Sequence, residues 1–149
     1  MKWKLSTAII ILCIALSSGC KNDTALNLAQ GNPGSFSYTA YDSSGTPLVQ
    51  GQLLFDIKDS TIDGSWQLSK IGNAKNTGPQ VGSGTLKGTI QNKTLFINLN
   101  PGWADNNVFL VGTIDNKMFQ GSWTWSTFIG PTNGGRFEAL TRAPFQRQQ

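Results

Sequence analysis

From Phe36 to Thr141, apolar and polar residues alternate in successive short runs, the period of a strand with one buried face. Phe36, Tyr38 and Ala40 share one face, with Ser37 and Thr39 opposite. Val49, Gly51, Leu53, Phe55 and Ile57 form a second set, and Ile62, Gly64, Trp66 and Leu68 a third. Gly84, Leu86, Gly88 and Ile90 follow, then Leu95, Ile97 and Leu99. Val108, Leu110, Gly112 and Ile114 precede Phe119, Gly121, Trp123 and Trp125; Phe137, Ala139 and Thr141 close the series. The pattern predicts eight strands. No stretch between them carries the 3.6-residue period of an amphipathic helix.

Eight short antiparallel strands with one apolar face predict a closed up-and-down β-barrel, because closure removes the edges that an open sheet exposes. A two-sheet β-sandwich is the alternative that the same alternation allows. A barrel of this strand number is just wide enough for side chains to fill, or for one small ligand. Inward glycines at 51, 64, 84, 88, 112 and 121 suit strongly coiled strands. Tight turns are expected at 58–60, 91–93 and 115–117, and longer loops at 43–48, 70–82, 100–107 and 127–135. Loops alternate between ends in this topology, so the tight turns share one end with the N-terminal approach. All four long loops share the other.

One phrase occurs twice. Gly64-Ser65-Trp66 returns 57 positions later as Gly121-Ser122-Trp123, and at the same offset Leu53 matches Leu110 and Ile57 matches Ile114. The register breaks after Ile71, where the first copy has the longer loop. A four-plus-four internal duplication is the expectation; chance similarity of two hairpins is its alternative.

The N-terminus changes the picture of where the protein sits. Lys2 and Lys4 precede an apolar run from Leu5 to Leu16, which ends in Ser17-Ser18-Gly19-Cys20. This is the layout of a signal peptide, and the run is too short for an ordinary membrane span. Its end resembles the bacterial lipobox, with small residues before an obligatory Cys, although Leu16 stands one place early and Ser17 takes its usual position. The resemblance implies cleavage after residue 19 and acyl chains on Cys20, several of which anchor stably where one does not. It divides the chain into a lipoprotein signal peptide (1–19), a polar tether (20–34), a barrel domain (35–142) and a short tail (143–149). Lys21 follows the Cys where enterobacteria-like inner-membrane retention uses Asp, so the expected address is the cell envelope, at the outer membrane if the organism has one.

Charge and chemistry then exclude several classes. Of 12 Lys and Arg, two leave with the signal, and the remaining ten face eight Asp and Glu. A scattered excess of about +2 is no nucleic-acid footprint. The chain has no His, and its two Cys are lost with the signal or consumed by lipid. The commonest general base, metal ligands and a thiol nucleophile are therefore missing. Asp56, Asp63 and Glu138 fall on outward faces, and Gly82-Ser83-Gly84 has no helix behind it to hold a phosphate. We expect no enzyme, no metal and no cofactor.

Binding is the better prospect, because sites gather on loops carried by a rigid scaffold. The long-loop end carries apolar residues with no obvious burial, Ile71, Val81, Trp103, Phe128 and Ile129. Trp103, in Pro101-Gly102-Trp103-Ala104-Asp105-Asn106-Asn107, stacks on a sugar ring, anchors a protein partner, or plugs the barrel mouth. Phe128 lies in another long loop, and Asn106 and Asn133 supply polar groups nearby. Trp66, Trp123 and Trp125, with Tyr38, are either core or the lining of a small cavity whose indole N–H groups need partners. Strand count, size and the Gly-x-Trp strands give residues 36–141 a resemblance to the calycin barrels, the lipocalin and avidin relatives. The resemblance stops short of motifs: the phrases fall on the third and seventh strands, and no biotin-site pattern is recognisable. It implies a barrel and carries no ligand over. The expected function is a lipid-anchored envelope protein binding a small molecule or glycan at its long-loop end. The alternatives are a protein-interaction factor, such as an inhibitor of a protease or lysozyme, and a structural lipoprotein without ligand.

Overall fold

The alternation closes on itself. In a computed structural model that describes residues 34–115 and 117–142, eight antiparallel strands form one closed barrel in sequence order. They are β1 (Gly34–Tyr41), β2 (Pro47–Lys58), β3 (Thr61–Lys70), β4 (Gly82–Gln91), β5 (Thr94–Asn98), β6 (Asn107–Ile114), β7 (Met118–Thr127) and β8 (Gly130–Thr141). The up-and-down barrel is the architecture found, not the sandwich. The signal segment, Cys20, the tether up to residue 33 and the tail at 143–149 lie outside the described residues.

The inward face is apolar along every strand, and burial there drives closure. Phe36, Leu53, Leu95, Val108, Leu110 and Phe119 have no exposed surface, and each large apolar side chain so buried contributes about 1.5–3 kcal/mol. The core is not uniform around the axis. Phe36 stacks on Phe55 (centroids 4.6 Å apart), Phe119 meets Phe137 edge-on (4.7 Å), and Tyr38 lies against Phe137 (5.7 Å). These rings come from β1, β2, β7 and β8. The opposite wall is aliphatic, with Ile62, Leu68, Leu86, Leu95 and Ile97.

The repeated phrase keeps its place in both halves. Leu53 pairs with Trp66 across β2 and β3, as Leu110 pairs with Trp123 across β6 and β7. Leu54 faces Ser65 as Val111 faces Ser122. The two hairpins thus share one pairing register.

One expected loop is not a loop. β7 and β8 continue until only Phe128 and Ile129 join them, so the stretch 127–135, foreseen as a long connection, is largely strand. Its Gly, Pro and Asn residues suggest a loop, yet Pro131 and Asn133 pair with Ser126 and Trp125 across a register shift that absorbs the irregularity. Pro131 belongs to a stretch of β8 that pairs only with β7, and a strand edge is where proline is tolerated. Three connections of five residues or more remain at that end: 42–46, 71–81 and 99–106.

Candidate functional site

The 71–81 connection lies across the barrel mouth and sends one side chain inside. Gln80 is fully buried; its Oε1 accepts from the Tyr38 hydroxyl (3.0 Å) and its Nε2 donates to the Thr77 carbonyl (2.8 Å). Burying polar groups costs little when they are paired, so this amide stops the mouth without a penalty. Burial also pushes the Tyr38 phenol above its ordinary pKa range, because the phenolate would lose its water.

Three further contacts hold the lid. Asn100 Nδ2 donates to the Pro79 carbonyl (3.1 Å), and Asn133 Nδ2 donates to the Asn76 carbonyl (2.8 Å). Gly78, in the left-handed region at φ 61°, lies flat on the indole of Trp125: a Cβ there would stand 2.7 Å from its Cγ. Trp125 in turn donates from Nε1 to Asn106 Oδ1 (2.6 Å). An open depression of about 390 Å³ remains between Asn76, Thr77, Gly78, Pro79, Asn106 and Trp125.

A larger groove, about 490 Å³, opens on the side of the barrel. Its origin lies in strand lengths. β4 runs ten residues but β5 only five, and their pairing stops at Lys87 and Asn98. Above that point the wall between β4 and the 99–106 loop is a gap. The indole of Trp66, which is paired with Gly84, lies behind the gap and donates from Nε1 to the Leu99 carbonyl (2.6 Å). Gly84 leaves room for the indole, since a Cβ there would stand 3.0 Å from it. Pro79 and Val81 form one bank, and Leu99, Pro101 and Trp103 the other, with Ser83 and Thr85 along β4. Trp103 is 57% exposed. Asn107 Nδ2 approaches the Trp103 carbonyl (3.4 Å) behind it.

The sequence candidates therefore separate. Trp103 stands at the rim of the groove with an exposed indole, and the residue that stops the mouth is Gln80. Trp66 forms the floor. Trp125, Asn106 and Asn133 belong to the lid and its seat. Trp123 and Tyr38 are core, with the Trp123 Nε1 donating to the Tyr41 carbonyl (2.8 Å). Phe128 sits at the tip of the β7–β8 hairpin, 86% exposed, and lines neither depression. Val81 is an apolar residue of the long-loop end, as its sequence suggests, and lines the groove; Gln80, Ser83 and Thr85 were not foreseen. The polar 71–81 stretch gives no sign of which side chain turns inward, and Ser83 and Thr85 matter only because β5 is short.

Among the described residues no group of three or more His, Cys, Asp and Glu side chains could hold a metal ion. The charged pairs described, Lys87 with Asp63 and Arg136 with Glu138, lie on the exposed outer wall.

No family model matches the chain, and no curated protein matches it significantly. Among solved structures it is similar to bradavidin2 in complex with biotin, at 18% identity and a TM-score of 0.48, over 76% of this chain and 100% of that one. It is similar also to rhizavidin in complex with biotin, at 15% identity and a TM-score of 0.48, over 80% of this chain and 98% of that one. The likeness is one of fold.

Proposed function

We propose that the protein is a non-enzymatic binding module, held at the bacterial cell envelope by lipid on Cys20, that takes a small molecule or glycan at its loop end. The observation that carries this reading is the groove of about 490 Å³ floored by Trp66 and rimmed by the exposed Trp103. Concave sites of this size, mostly apolar with a few polar groups, are the usual small-molecule sites. An exposed Trp at the rim supplies a large, rigid contact at little conformational cost. The lack of His and the outward placement of the carboxylates support binding over catalysis.

The test is a soluble-metabolite and glycan array probed with wild type and Trp103→Ala, with biotin as one control ligand. A ligand held by wild type and lost by Trp103→Ala is expected. A ligand held equally by both moves the site away from the groove.

A second reading has its own observation. Phe128 and Ile129, 86% and 80% exposed, project from the β7–β8 tip, and such a paired apolar tip suits insertion into a protein partner's pocket, as in an inhibitor of an envelope hydrolase. A stoichiometric partner captured by wild type but not by a Phe128→Ser/Ile129→Ser variant favours it. If neither experiment finds a ligand, the structural lipoprotein remains.

A further inference from the structure

The lining of the Trp103 groove restricts what it can hold. Its eleven residues include no charged side chain, so a carboxylate, phosphate or ammonium group would lose its water with no counter-charge in return. A wholly apolar ligand meets the opposite difficulty. The Ile90 N–H donates to the Ser60 carbonyl (3.0 Å), which fixes the direction of main-chain groups along β4. The register with β3 is unbroken from Thr89 to Gly82. Alternation therefore turns the N–H and C=O groups of Ser83 and Thr85 away from β3 and toward the gap. β5 ends opposite Lys87, so no strand meets them. Covering this short edge with hydrocarbon would strand those groups without partners.

The other half of the barrel makes the same seam and closes it. There Trp123 lies under Gly135 as Trp66 lies behind Gly84, and its Nε1 donates to the Tyr41 carbonyl. The Tyr41 main chain crosses close above Gly135, where a Cβ would stand 2.0 Å from the Tyr41 oxygen. Tyr41 carries the Arg136 guanidinium over its ring at 3.8 Å. One seam is thus sealed by an aromatic-cation lock, while its counterpart is left open beside an exposed Trp.

Resting on the proposed groove, we propose that its ligand is a neutral saccharide, one pyranose ring lying against Trp103. A pyranose has a C–H face for the indole and the Pro79, Val81 and Pro101 walls. Its hydroxyl rim meets the side chains and main-chain edge of Ser83 and Thr85. The alternative use of a free edge, addition of an extended peptide strand, needs a longer run of unpaired residues; here only Ser83 and Thr85 offer main-chain groups.

The experiment titrates the full-length protein, in a sugar-free detergent, with cellotriose, maltotriose and chitotriose, with acidic trigalacturonate, and with extended Ser/Thr-rich hexapeptides. Tryptophan fluorescence and calorimetry read the binding. At least one neutral trisaccharide binds, with trigalacturonate about tenfold or more weaker. Trp103→Ala, and independently Val81→Lys, weaken it by about tenfold or more. Val81 is 45% exposed, so the lysine charge needs no burial and the fold is kept. Binding of trigalacturonate or a peptide alone, lost in Trp103→Ala, overturns the neutral saccharide and leaves the groove standing. Binding unchanged in both variants overturns the groove itself. Absence of binding by all three neutral sugars overturns the saccharide whatever else binds.

Discussion

Trp66, Trp103, Trp123 and Trp125 show how one side chain takes four roles from its surroundings. Three donate their indole N–H within the protein, to the Leu99 carbonyl, the Tyr41 carbonyl and Asn106 Oδ1. Trp103 makes no side-chain hydrogen bond among the described residues and stays exposed. Its replacement by Ala is expected to change unfolding free energy by less than about 0.5 kcal/mol, as surface substitutions usually do. Trp66→Phe, which leaves the Leu99 carbonyl unpaired, is expected to cost about 1–3 kcal/mol by denaturant melts. Tyr38 belongs to the same scale. Its phenol is held neutral in the folded barrel beyond the ordinary tyrosine range, while in the unfolded chain it ionises near pH 10. The unfolded state thus sheds a proton that the folded state keeps, and stability falls as pH rises above about 10. Tyr38→Phe is expected to flatten that alkaline slope by one proton. It also costs about 1–3 kcal/mol at neutral pH, because Gln80 Oε1 is left buried without its donor.

At the scale of elements, the strands were readable because alternation is enforced on every one of them by a single filled core. Phe36, Phe55, Trp66, Phe119, Trp123 and Phe137 could be assigned inward by parity alone, and each is buried. The β7–β8 hairpin was not readable. Pro131 and Asn133 imitate a loop, but Gly134 and Gly135 let β8 run close against β7 and Tyr41. The lid over the mouth was equally hidden, since polar residues between two strands look alike whether they wave in solvent or clamp a barrel. Gly78 is the point at which the lid seats on Trp125. Gly78→Val combines a positive φ with a Cβ driven into the indole, and is expected to lift the lid without unfolding the barrel. Trp125 fluorescence should then shift to the red, and amide exchange should rise over 71–81 while the core strands stay protected. A uniform loss of protection would mean instead that the lid is integral to the barrel's stability.

For the molecule as a whole, the barrel has two ends of different build, with short turns at one and the longer connections 42–46, 71–81 and 99–106 at the other. The tight turns 59–60 and 92–93 lie at the end of the barrel where β1 begins, and the proposed lipid anchor on Cys20 would hold that end toward the membrane, with the lid and groove pointing away. Cys20→Ser is expected to move the protein from the membrane fraction to the soluble fraction; persistent attachment would contradict lipidation at that residue. The duplicated register explains why two equivalent seams exist, and the short β5 explains why one is open. Neither was visible in the repeat, which fixes the strands that pair and says nothing of where pairing stops. On the proposed reading, ligands bind in the open seam and leave the barrel interior closed. Nitrogen-15 spectra of the indole N–H groups, recorded while a ligand from the array is added, test it most directly. The Trp103 signal should move first and furthest, with a smaller shift at Trp66 behind the groove, while Trp123 and Trp125 stay in place. A shift at Trp123 or Trp125 with Trp103 unmoved would contradict the account and put the ligand inside the barrel or beneath the lid.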